Sequence, residues 1–289
     1  MSPRCRSNVM YRYEQQLRNV AKQTANGTCY HLVGDEYKPV VVMIHGVGLN
    51  QNMWLPWKEV LLPSYRVLTF DFLGHGGSHN PPGERCVKNY VDQLTILLDH
   101  LNIDQVALVG FSMGALISQG MAALHPDRLT HLALLHSVYQ RTDAQCAGVR
   151  KRYQITKKEG PMATVELAIE RWFSKTYIEQ APDQMDEIRS IFAGHVDDGY
   201  LKAYGVFANA EPEMRRYLLD QFNQPALVVT GEQDVGSTPQ MSEALARDLP
   251  NARLIINAGH RHGAPYEFAQ MMAGQLLDFL NQYDNKLAE

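Results

Sequence analysis

The stretch VALVGFSMGAL, residues 106–116, sets a lone serine between two glycines directly after a run of small apolar residues. In a chain with 21 glycines the pattern G-x-S-x-G arises by chance often enough that context has to give it meaning. On one side, QVALVG (105–110) reads as a short buried strand. On the other, ALISQGMAAL (115–124) reads as a helix closed by His125-Pro126. Ser112 thus falls on a strand-to-helix turn, the setting that a nucleophilic serine requires. A helix N-terminus there aims free backbone N–H groups and a positive dipole end at developing negative charge. The plain alternative is a serine N-cap with glycines for close packing, and it leaves the rest of the chain's motifs unexplained.

The same alternation extends outward from this point. PVVVMIHG (39–46), YRVLTFDFLGHG (65–76), HLALLHS (131–137), PALVVTGEQD (225–234) and ARLIINAGH (252–260) read as further strands. VKNYVDQLTILLDHL (87–101) spaces Val91, Leu94, Leu98 and Leu101 at helical intervals. Apolar strands separated by helices predict an α/β fold, with a mostly parallel central sheet covered on both faces. The rhythm stops between Ser137 and about Asn223, where TVELAIERWFSK, DQMDEIRSIFAG and DDGYLKAYGVFAN carry only helical periodicity. Residues 137–222 are therefore expected to form an all-helical cap over the carboxyl edge of the sheet, inserted into a core of residues 1–136 and 223–289. YEQQLRNVAKQ (13–23) fits either a short helix or an arm without fixed structure.

Net charge −4 and 20% charged residues give no bulk attraction to nucleic acid or to an anionic membrane. The basic group Arg150, Lys151, Arg152, Lys157 and Lys158 reads as a solvated helix face. Cys5, Cys29, Cys86 and Cys146 lack the spacing of a zinc site or a disulfide framework. No apolar segment follows the basic N-terminus, and the apolar run Val40 to Ile44 is far too short to span a bilayer. These features point to a cytoplasmic protein whose partner is a small-molecule substrate, with self-association into a homodimer left open.

Each distinctive polar motif falls at the carboxyl end of a strand. A serine hydroxyl needs a base within hydrogen-bond reach, and His260 in NAGHRHG follows the last strand. His262, two residues on, is the alternative. His45 and His75 stand beside glycines in other loops and are expected to hold those loops' shape. Asp234 in TGEQDVGSTP is placed to orient the imidazole, with Glu232 the nearby alternative. The backbone N–H groups of Met113, after the serine, and of Val47, in the loop His45-Gly46-Val47-Gly48, are the expected donors to an oxyanion.

Taken together, H-G-x-G (45–48), D-x-x-G-x-G-x-S (71–78), G-x-S-x-G (110–114), G-E-x-D-x-x-x-x-P (231–239) and A-G-H (258–260) resemble the α/β-hydrolase superfamily in order and spacing, over nearly the whole chain after residue 28. The resemblance implies a triad of Ser112, Asp234 and His260, an oxyanion hole at Val47 and Met113, and no metal or organic cofactor. EGPMATVELAIERWFSKTY and GYLKAYGVFANAE resemble the caps of 3-oxoadipate enol-lactonases and related catabolic esterases. Phe111, where carbon–carbon hydrolases of ring cleavage usually carry asparagine, argues against that class. A serine nucleophile argues against haloalkane dehalogenases and epoxide hydrolases.

The expected activity is hydrolysis of an ester or lactone of a small catabolic intermediate through an acyl-enzyme, and the resemblance to enol-lactonases implies a carboxylate-bearing one. Cleavage of an N-acyl or enamide bond in a heterocycle-derived dicarboxylate, or of a carbon–carbon bond in a ring-cleavage product, is the alternative chemistry. A hydrolase-like small-molecule receptor is the alternative class. A carboxylate-bearing substrate needs a cation, for which Arg171 and Arg141 are candidates, with a surface position or a structural salt bridge the more common role of such arginines. Trp172, Tyr139, Phe173 and Phe207 are candidates for the pocket wall or for packing of the cap, and helical spacing favours packing. His136 is a candidate for the pocket lining.

Overall fold

The computed structural model describes residues 21–195 and 197–287. The reading of residues 13–20 as helix or arm lies outside them. Eight strands form one sheet: β1 (Lys22–Gln23), β2 (Cys29–Val33), β3 (Val40–Ile44), β4 (Arg66–Phe70), β5 (Val106–Phe111), β6 (Leu129–Leu135), β7 (Ala226–Gly231) and β8 (Ala252–Asn257). Their order is β1-β2-β4-β3-β5-β6-β7-β8. β1 and β2 pair antiparallel, as do β2 and β4, and every later pairing is parallel. The six strands expected from the sequence are those from β3 onward. The antiparallel pair β1 and β2 was not expected, because CYHLV mixes polar and apolar residues without a clear period.

Side chains alternate across the pleat, so β3 feeds two cores. Val41 and Met43 join Trp54 and Trp57 beneath the C-terminal residues Leu276 and Phe279. Val42 and Ile44 join Val91, Leu94 and Leu98 of α2 (Val87–His100) and Leu116 and Ile117 of α3 (Met113–Leu124) on the other face. Trp57 itself lies on α1 (Leu55–Leu61), which packs against α12 (Ala269–Leu287). The near-continuous apolar character of the central strands follows from being covered on both sides.

From β3 the chain passes to β4 on one side and then returns to β5 on the other. That reversal opens a crevice at the carboxyl ends of β3 and β5, the position where open α/β sheets bind ligands. Between β6 and β7 the described residues form helices and no strand: α4 (Asp143–Glu159), α5 (Val165–Trp172), α6 (Lys175–Gln180), α7 (Pro182–Ala193), α8 (Gly199–Asn209) and α9 (Glu211–Met214). The first of these starts on a capping box, in which the Thr142 side chain accepts from the Gln145 N–H and the Gln145 side chain accepts from the Thr142 N–H. It ends at Gly160, whose φ of 90° suits glycine. α10 (Pro239–Asp248) follows β7, and α11 (Ala264–Glu267) precedes α12. Among the described residues no helix is long and apolar enough to cross a membrane.

Candidate active site

The turn after β5 shows why the serine stands between glycines. A Cβ at Gly110 would run into the Gly114 carbonyl and the Ser118 hydroxyl, and one at Gly114 would strike the Ile44 and His45 carbonyls. With both side chains absent, α3 can leave the strand at once and pack against β3. Ser112 itself adopts φ 55° and ψ −111°, a conformation that non-glycine residues rarely hold. It is fixed there by its N–H donating to the Leu135 carbonyl at 3.0 Å.

The histidine facing Ser112 is His262. Its Nε2 stands 3.0 Å from the serine Oγ and its Nδ1 2.7 Å from Oδ2 of Asp234. His260, the residue expected from the sequence, is not there. The chain turns tightly after β8, with the His260 N–H donating to the Asn257 carbonyl and Gly259 at φ 72°. His260 is spent on that turn. Its ring stacks on Phe268 at 3.9 Å between centroids, and its Nδ1 has no hydrogen-bond partner. Two further residues carry the backbone across to the serine, so the sequence order was right and the choice within NAGHRHG was not.

Asp234 is 2% exposed and accepts four hydrogen bonds. Oδ1 takes the N–H groups of Gly236 and Ser237 at 2.8 and 2.9 Å. Oδ2 takes Nδ1 of His262 and Nδ1 of His136, the latter at 2.8 Å. Burial alone would raise its pKa, but the facing His262 and the imidazole hydrogen bonds outweigh it and hold the carboxyl well below the usual range. Glu232 instead accepts from the Gly259 N–H and braces the turn. Among the described residues, His136, Asp234 and His262 form the only group with metal-binding donors this close together. Those atoms are already hydrogen-bonded to one another.

The loop after β3 presents backbone donors beside the serine. Its Gly48 N–H donates to Nε2 of His75 at 3.0 Å, and its Leu49 N–H to the Gly46 carbonyl. The Val47 N–H has no acceptor among the described residues, and Val47 lines the cavity with Ser112. Met113 opens α3, so its N–H lacks an intrahelical acceptor. His45 braces the same loop: its Nδ1–H donates to the Gly46 carbonyl and its Nε2 accepts from the Phe72 N–H. Both loop histidines act as the sequence suggested. His195, from the inserted segment, reaches in as well and meets the Gly48 carbonyl at 3.3 Å.

Above Ser112 lies a cavity of about 210 Å³, small beside the roughly 300–1,000 Å³ of pockets for drug-sized ligands. Its walls come from Val47, Ser112, Val235–Ser237 and His262 of the sheet side and from the inserted helices. Arg141, Arg152 and Arg171 line it and, among the described residues, no aspartate or glutamate does. Arg141 donates from Nη1 to the Phe207 carbonyl at 2.7 Å and has Glu211 at 3.6 Å, while its buried Nη2 has no partner. Arg152 keeps a buried Nε without a partner among the described residues. Among the described residues no carboxylate pairs with Arg171, and burial pushes its guanidinium, like that of Arg141, down from the usual value.

Arg152 was expected on a solvated face. Arg150, Lys151, Lys157 and Lys158 are indeed exposed, but Arg152 turns inward. Gln145, Gly148, Val149, Arg152 and Ile155 of α4 all line the cavity. Their three- and four-residue spacing marks one helix face, a signal the sequence did contain. Trp172 and Phe207, for which helical spacing favoured packing, are in the wall, together with Phe192, Tyr200 and Tyr204, which were not singled out. The other three candidates do not line the cavity. Tyr139 donates its hydroxyl to Asp248 at 2.8 Å in a separate groove. Phe173 is fully buried against Tyr177 and Tyr266. His136 is fully buried behind Asp234.

The family model of the alpha/beta hydrolase fold matches residues 39–160. (E)-2-((N-methylformamido)methylene)succinate hydrolase of Acinetobacter baylyi is 31% identical over 238 residues, 82% of this chain and 88% of that protein. 3-Oxoadipate enol-lactonase 2 of the same organism is 26% identical over 80% of this chain and 85% of its own length. Among solved structures, the enol-lactonase from Burkholderia xenovorans LB400 aligns with a TM-score of 0.80 at 27% identity, over 88% of this chain and 96% of that one. The chain belongs to the α/β-hydrolase family.

Proposed function

We propose that this protein hydrolyses an ester or lactone of a small carboxylate-bearing compound through an acyl-enzyme on Ser112. The observation that carries the reading is the hydrogen-bonded line from Ser112 Oγ through His262 to Asp234, at 3.0 and 2.7 Å. As the serine oxygen bonds to the substrate carbonyl carbon, its proton passes to Nε2 of His262. The carbonyl electron pair moves onto oxygen, where the Val47 and Met113 N–H groups receive it. When the carbonyl re-forms, the alkoxide leaves with the proton from Nε2. A water molecule then gives a proton to Nε2 and attacks the acyl carbon, and Ser112 departs with that proton. Asp234, kept ionised by its hydrogen bonds, fixes the tautomer of His262 and stabilises it when charged.

Three arginines line the cavity and, among the described residues, no carboxylate does. Arg141 has Glu211 beside it, whereas the partly buried Arg171 pairs with no carboxylate among the described residues, which supports an anionic substrate. A second reading has one observation in its favour. The 31% identical relative is named for a formamide carried on a methylene succinate, an N-acyl bond beside two carboxylates. The same machinery serves amides, with the nitrogen leaving in place of the alkoxide. A panel of neutral esters, carboxylate-bearing enol esters or lactones, and carboxylate-bearing enamides tests both. The first reading expects the highest kcat/KM on carboxylate-bearing esters or lactones. A clear preference for the enamides selects the second, and turnover of none of them in the presence of an intact Ser112 contradicts both.

A further inference from the structure

Two imidazoles, not one, converge on a single oxygen of Asp234. Nδ1 of His262 is 2.7 Å and Nδ1 of His136 2.8 Å from Oδ2. His136 follows β6, its φ is 50°, and its N–H donates to the Val229 carbonyl at 2.7 Å, so the ring is held on a strained backbone tied to β7. That ring is fully buried, packs edge-on to Phe111 and to His262, and does not line the cavity. A carboxylate oxygen only accepts, so His136 carries its proton on Nδ1. Its Nε2, buried with no partner among the described residues, is then a bare lone pair. A second proton there would be an unsatisfied buried N–H, which rules this ring out as a proton carrier.

The geometry points to His136 as a positioning residue: it occupies one of the two lone pairs of Oδ2, leaving the other to His262, and so fixes the carboxylate plane and restrains its pull on the His262 proton. With the Gly236 and Ser237 N–H groups on Oδ1, every acceptor site of the carboxylate is filled. Each donor draws negative charge from Asp234 and weakens its stabilisation of a charged His262. The function of this arrangement rests on the proposed triad, but the arrangement itself can be read without substrate. The ionisable groups facing it are Asp234 after β7, His262 and His260 after β8, and Arg171 of α5, which acts on Asp234.

The test compares wild type with His136→Asn, which keeps a γ-branched donor and tolerates a left-handed backbone, and with His136→Leu, which keeps the shape and loses the donor. His136→Gly removes the donor without backbone strain and replaces the leucine variant if that chain does not fold. Proton and ¹⁵N NMR of histidine-labelled protein reads the titration of His262 directly, with no dependence on whether Ser112 is the nucleophile. We expect the His262 midpoint to rise by roughly half a unit to one unit in the leucine or glycine variant and to return toward wild type in His136→Asn. The acid limb of kcat/KM on p-nitrophenyl acetate should move in the same sense, and kcat should fall by roughly tenfold with KM nearly unchanged. A His262 midpoint that is the same in all variants overturns the proposal. Loss of activity in Ser112→Ala is a separate measurement that bears on the triad alone.

Discussion

The backbone N–H of Gly263 donates to the carbonyl of Trp172 at 2.7 Å. Gly263 directly follows His262, and Trp172 ends α5, so the loop that carries His262 is fastened to the helices between β6 and β7 that line the cavity. Arg261 adds hydrogen bonds from Nη1 to the Glu170 and Phe173 carbonyls at 3.1 and 3.2 Å. Glu267 takes the Ser174 N–H at 3.1 Å. The inserted helices thus shape the pocket and also hold the histidine over the serine.

The two histidines of this loop should separate cleanly in kinetics. His262→Ala removes the proposed base and should lower kcat/KM on p-nitrophenyl acetate by roughly three or more orders of magnitude. His260→Ala loses a ring stacked on Phe268 and should cost less than about fivefold, with some loss of stability. Equal losses in the two variants would contradict the assignment.

That distinction also marks how much the sequence could reveal. The six strands from β3 onward, the tight turn at Ser112 and the placing of Asp234 at a strand end were legible because each rests on local patterns: apolar runs, glycines at a tight turn, a polar residue at a strand end. The choice of His262 over His260 depends on how the chain turns after Asn257, and the two histidines stand only two residues apart in the same loop. Arg152 was hidden inside a basic cluster, and only the face shared with Gln145, Val149 and Ile155 gives it away. Tyr139 and His136 flank the end of β6 and look like pocket residues on paper. Their partners, Asp248 and Asp234, lie about a hundred residues downstream, beyond the reach of any local pattern.

The cations of the pocket should act through binding. Arg171→Met preserves much of the apolar stem and removes the charge. On carboxylate-bearing esters KM should rise by roughly 10- to 100-fold, with kcat less affected. On p-nitrophenyl acetate the same variant should stay within a few-fold of wild type. Steady-state kinetics on the paired substrates checks this, and an equal loss on both would remove Arg171 from substrate recognition.

Stability should fall on the acid side because several buried histidines stay neutral when folded. Burial drives His45 down to about 4 despite nearby Asp71, and His75, His136 and His195 shift the same way. Between the ordinary histidine value of about 6.5 and 4, the unfolded chain binds more protons than the folded one, so stability drops as pH falls through that window. His45 alone contributes roughly 3 kcal/mol across it. Urea unfolding at pH 7, 5.5 and 4.5 should show the decline, and His45→Gln should flatten it. A stability that is constant or rises toward pH 4.5 contradicts this account.

The turn glycines make a steric prediction. Gly114→Ala would press a methyl group into the Ile44 and His45 carbonyls, backbone atoms that cannot move without disturbing β3. We expect a loss of several kcal/mol or failure to accumulate folded protein. Gly274→Ala, where an added Cβ meets nothing, should leave thermal unfolding nearly unchanged. Differential scanning fluorimetry of the pair suffices.

The central claim is that Ser112 becomes covalently acylated with His262 as its base. Rapid-quench mass spectrometry during p-nitrophenyl acetate turnover reads it directly. An acetyl group on the peptide containing Ser112, formed in a burst with one equivalent of nitrophenolate and absent from both Ser112→Ala and His262→Ala, is the expected result. Turnover that continues at the wild-type rate in Ser112→Ala, or an acetyl group found on another residue, would contradict it.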